Sequence, residues 1–150
     1  MCSPISRRRG LVVGIDLDQF PDRRTRVNNG TPRPITVHES LLESHFDLVV
    51  RFLTQTLRAA DWAADNLQAV YDILKRETRA GDEGVTAAYR ADFHRSLHPD
   101  LSAERLDLLR IQKTFMCVHG FLDADFDLES WVDPRPLAAA RELLQHREVA

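Results

Sequence analysis

ADFHRSLHPDLSAERLDLLRIQKTFMCVHGFLDADFDLESWVDPRP, residues 91–136, holds the clearest helix in the chain. Ser102 offers a side-chain oxygen at the N-cap, and Glu104 puts negative charge in the first turn, where backbone N–H groups point outward without partners. Leu101 and Leu106 stand at the spacing of a hydrophobic staple. Leu108, Ile111, Phe115 and Val118 recur at three and four residues, with Leu109 and Met116 widening the stripe. Gly120 follows where a left-handed residue ends a helix. The pattern predicts a helix buried along one side.

Working outward, the segments on either side extend the helical reading. Glu39 to His45 reads as a short helix and Phe46 to Asn66 as a long one. On the long helix Phe46, Val49, Val50, Leu53, Leu57, Ala60 and Ala64 form a stripe that Phe52, Ala59 and Ala63 broaden. Asn66 is placed to cap a helix using Leu67, Val70, Tyr71 and Leu74, which Gly81 stops. A short helix from Gly84 ends near Tyr89. Asp133 and Pro134 open a last helix with Leu137, Ala140 and Leu144 on its apolar edge. Strands are expected only in the first quarter, at Leu11 to Asp16 and briefly at Ile35 to Val37, separated by turn residues that include Asn29-Gly30. The chain thus reads as mainly α with one or two short strands at the N-terminal end.

At 150 residues one domain is expected, with apolar content of 43% and 29% charged residues, ordinary for a globular protein. A net charge of −3 argues against a general polyanion binder, so no nucleic acid is expected as a partner. Residues 1–33 nevertheless hold seven Arg against three Asp. The arginines at 7–9 read as part of a solvated basic leader over residues 1–10. Asp16 and Asp18 cut the apolar run after them too short for an export signal. No stretch approaches the roughly 18 apolar residues of a membrane span.

Candidate chemistry is sparse. His94 and His98 are four residues apart, the spacing of two metal ligands on one helical face, but Pro99 interrupts a regular helix there and no third ligand is placed. Asp123, Asp125 and Asp127 begin like a calcium loop, yet Leu128 and Pro134 occupy its required glycine and glutamate positions. These acids are better read as turn residues and helix starters. Glu39, Glu43 and Asp47 read as an exposed acidic face, Cys117 as a buried thiol, and Trp62 and Trp131 as packing anchors. Neither a catalytic set, a metal site nor a cofactor site emerges.

The helix and its flanks resemble the carboxy-terminal part of ABC-importer substrate-binding proteins of the sulfonate, nitrate and taurine class, and a related sulfinate desulfinase. The resemblance is carried by Ala91-Asp92-Phe93, Leu97-x-Pro99-x-Leu101, Leu109-x-x-Gln112-x-x-Phe115, Gly120-Phe121-Leu122 and Trp131. Upstream it is carried by Leu48-Val49-Val50-Arg51-Phe52-Leu53 and Ala59-Ala60-Asp61-Trp62-Ala63. It covers about residues 35 to 137 well and 10 to 34 loosely, and departs from the family at Arg33 and Phe46.

The resemblance implies the C-terminal portion of a two-lobed α/β periplasmic-binding-protein-like (type II) fold. Residues 11–38 then hold part of the second lobe and a crossing strand near the cleft, and residues 39–150 form a helical scaffold. Anion capture by oriented N–H and hydroxyl donors makes Asn28, Asn29, Gly30 and Thr31 the ligand-binding candidates, although turn formation explains them equally well. The implied partners are a small sulfonate-like anion and an ABC permease, with a periplasmic or membrane-associated location for the full-length family. The chain is expected to be a fragment, cytoplasmic if made as written, lacking the first lobe and most of the ligand site. Its unsupported apolar face then favours self-association. A desulfinase-like hydrolase and an independent helical interaction module are the alternatives.

Overall fold

A computed structural model describes residues 12, 14–15, 19–25, 33–89 and 92–148. Among the described residues 70% are helical and none lies in a strand, so the fold is mainly α. After a 3-10 turn, Arg23–Thr25, come α1 (Glu39–Asp65), α2 (Leu67–Thr78) and α3 (Asp82–Ala88). A 3-10 turn at Phe93–Ser96 precedes α4 (Ala103–Val118), α5 (Leu128–Trp131) and α6 (Arg135–Glu148).

The expected strand at Ile35–Val37 is absent; these residues are coil and exposed. Pro34 has no N–H to donate and no described strand lies alongside, so a β-branched run gains nothing from extension. Half of the expected strand at Leu11–Asp16 lies outside the described residues, and Val12, Gly14 and Ile15 are not strand.

Two compact units are present among the described residues, one centred on residues 56–99 and the other combining those of 22–55 with 100–148. Helix α1 runs through both. The expected division of residues 39–66 into a short and a long helix appears as a break at His45, whose φ of −140° and ψ of 44° are non-helical.

In the unit around residues 56–99, Leu57, Ala60, Ala63, Val70 and Val85 are buried, and Phe93 packs on the rings of Tyr71 (6.3 Å) and Tyr89 (4.7 Å). Small residues on α1 permit close approach, and the aromatic trio adds ring-on-ring contacts. Asn66 does stand at the start of α2, but its side chain does not cap it. Its Nδ2 donates to the Trp62 carbonyl at 2.7 Å, finishing α1 instead. Gly81 does not end α2 either. Arg79 takes the left-handed conformation (φ 54°), and Gly81 precedes α3 in extended geometry.

In the other unit, Val49, Val50, Leu53, Leu108, Leu128, Leu137 and Ala140 are buried. Thr54, 1% exposed, satisfies its hydroxyl on the Val50 carbonyl at 2.8 Å; a buried hydroxyl without that bond would be costly. Helix α4 begins and ends as its sequence requires. Ser102 Oγ accepts from Arg105 N–H, and Gly120 at φ 70° lets Phe121 N–H reach the Met116 carbonyl (2.8 Å) and Gly120 N–H the Cys117 carbonyl (3.2 Å). This pair of bonds is a Schellman closure. The apolar stripe does not stay covered to its end, because Val118 is 75% exposed.

Asp127 caps α5 by accepting from the Glu129 and Ser130 N–H groups. Asp133 accepts from Arg135 N–H at the start of α6, one residue later than expected, with the Pro134 carbonyl taking the first helical bond. Arg24 at the first 3-10 turn pairs with Asp107 on α4.

Candidate functional site

Asn28, Asn29, Gly30 and Thr31, the residues expected to meet an anion, lie outside the described residues. Residues 33–38 after them are exposed coil.

The two histidines do not converge. His94 lies in the 3-10 turn, 6% exposed, with Nδ1 buried and without a hydrogen-bond partner. His98 turns instead to α1, where Nε2 lies 2.8 Å from Asp61 Oδ1. Pro99 ends the turn before a second helical cycle can bring the two rings onto one face. Among the described residues no group of three His, Cys, Asp or Glu side chains is disposed to hold a metal ion. The Asp61–His98 pair has the arrangement in which a carboxylate orients an imidazole. Both side chains are well exposed, so the pair lacks the dry surroundings that give such couples chemical force.

The acidic turn after α4 is held by Lys113. Its ammonium is 2.7 Å from Asp125 Oδ1 and 2.7 Å from the Phe126 carbonyl, and 5.4 Å from the centre of the Phe126 ring. The Asp125 carboxyl is lowered from its usual range chiefly by the hydrogen bond from Lys113, with the Phe126 N–H adding to it. Cys117 is half-buried rather than enclosed, its Sγ 3.9 Å from Asp125 Oδ1. Asp127, three residues before Ser130, is spent on its cap. These acids are thus engaged in shaping the turn, as the sequence suggested.

The surface of α1 is the feature that stands apart. Leu48, Phe52, Gln55, Ala59 and Trp62, spaced four, three, four and three residues, are all exposed. Leu48 is 50%, Phe52 56% and Trp62 46% exposed. At 100° per residue this line lies about 135° round the helix from the buried Val49, Leu53, Leu57 and Ala60. The sequence reading placed Phe52 and Ala59 at the margin of the buried stripe and made Trp62 and Trp131 packing anchors. Both tryptophans are about half exposed, and Phe52 and Ala59 face outward. A helix apolar on two sides is what an element between two layers needs. Heptad spacing is the signal in the sequence for the second side.

A second exposed apolar group comprises Val118 and Phe121 near the Schellman turn, with Phe121 stacked on Phe115 at 6.3 Å. Trp131 contacts Phe126 at 5.9 Å. Among the described residues no helix is long and apolar enough to cross a membrane.

No family model, no curated protein and no solved structure matches the chain.

Proposed function

We propose that this chain is the helical scaffold of a solute-binding component of an ABC importer, whose ligand is an organosulfur or similar oxyanion such as an aliphatic sulfonate. The single observation that carries this reading is α1, with one apolar side buried within the chain and another left outward in heptad spacing. In this reading α1 separates two layers, as a brace beneath a type II binding-protein lobe would. The lobe resting on Leu48, Phe52, Ala59 and Trp62 would be a separate α/β body, and the anion would be shared between that body and Asn28 to Thr31. A permease would be the further partner.

Calorimetric titration with ethanesulfonate, taurine and nitrate tests the proposal, using the chain alone and with an α/β lobe encoded beside it. Micromolar binding only when both are present supports the scaffold reading. Heat from the chain alone would replace it with a self-sufficient site.

The same α1 surface favours a second reading, an independent helical interaction module with no small-molecule ligand. Association with the lobe that leaves all three anions unbound would select it. A desulfinase-like hydrolase is a third reading, which the α1 surface does not favour.

A further inference from the structure

We draw no further inference here: the strongest candidate, the exposed apolar line of Leu48, Ala59 and Trp62 along α1, belongs to the surface already described, and nothing in the structure shows which partner covers it.

Discussion

The Lys113 ammonium lies between the Asp125 carboxylate and the Phe126 carbonyl, 2.7 Å from each, and ties the acidic turn back onto α4. Its side chain is only 15% exposed. Lys113→Met keeps the aliphatic stem and removes the donor, leaving the Phe126 carbonyl without this partner. The expected cost is about 1 kcal/mol, typical of one lost hydrogen bond. Denaturant melts of the variant and the parent measure it. An unchanged midpoint would mean that the turn is held by the Schellman bonds alone.

The two left-handed residues should respond in opposite senses. Gly120 (φ 70°) has open space where a Cβ would stand, so Gly120→Ala is opposed by backbone conformation and not by a clash. A loss of about 1 kcal/mol is expected. Arg79 already bears that strain at φ 54°. Arg79→Gly relieves it, although greater freedom of the unfolded chain offsets part of the gain, leaving a change between zero and about +1 kcal/mol. Thermal melting should separate the two by several degrees. A clear loss from Arg79→Gly would contradict the backbone reading.

The two sides of α1 differ in what they support. Leu57→Ala opens a cavity on the buried side, with an expected cost of about 2–5 kcal/mol. Trp62→Ser on the outward side should change stability by about 0.5 kcal/mol or less. It should also reduce binding of a hydrophobic dye and any concentration-dependent association seen by sedimentation. Equal destabilisation by both would show Trp62 to be a core residue after all.

Acid should weaken the helix starts. Asp100 is lowered mainly by its hydrogen bonds with Ser102, and Asp133 mainly by the side-chain hydrogen bond from Arg135, both from a usual value of 3.8. A carboxyl whose folded pKa is depressed contributes its full stabilisation above the unfolded value. That contribution declines as pH falls below about 3.8 and is gone once the folded pKa is passed. The contribution of these groups is therefore flat near neutrality. Asp133→Asn should flatten the acid limb of a melting-temperature profile and leave its slope above pH 5 unchanged. A shift in the neutral slope instead would assign the effect elsewhere.

Local grammar was readable wherever one residue acts on its own neighbours. Ser102, Gly120 and Asp127 do what their side chains or lack of one dictate, and the break between the first two helical stretches falls at His45. What escaped was choice between competing partners. Asn66 has a carbonyl four residues behind it and an N–H group ahead, and propensity alone does not say which it takes. Periodicity likewise reported that α1 is apolar through a wide arc without telling which part the chain itself covers. The expected anion-binding residues, Asn28 to Thr31, came only through resemblance and lie outside the described residues. The outward line on α1 was present in the spacing but merged with the inward stripe, because adjoining stripes sum to one broad pattern.

The single residue between α1 and α2 makes their rotational phase a fixed quantity. Asn66 holds the Trp62 carbonyl with its amide and the Ala63 carbonyl with its N–H, and offers its own carbonyl to Val70 N–H. No slack remains to absorb a change of length. One residue added there would turn α2 by about 100°, carrying Val70 toward water and swinging Tyr71 off Phe93. The joint behaves as a keyed shaft, in which indels matter more than substitutions.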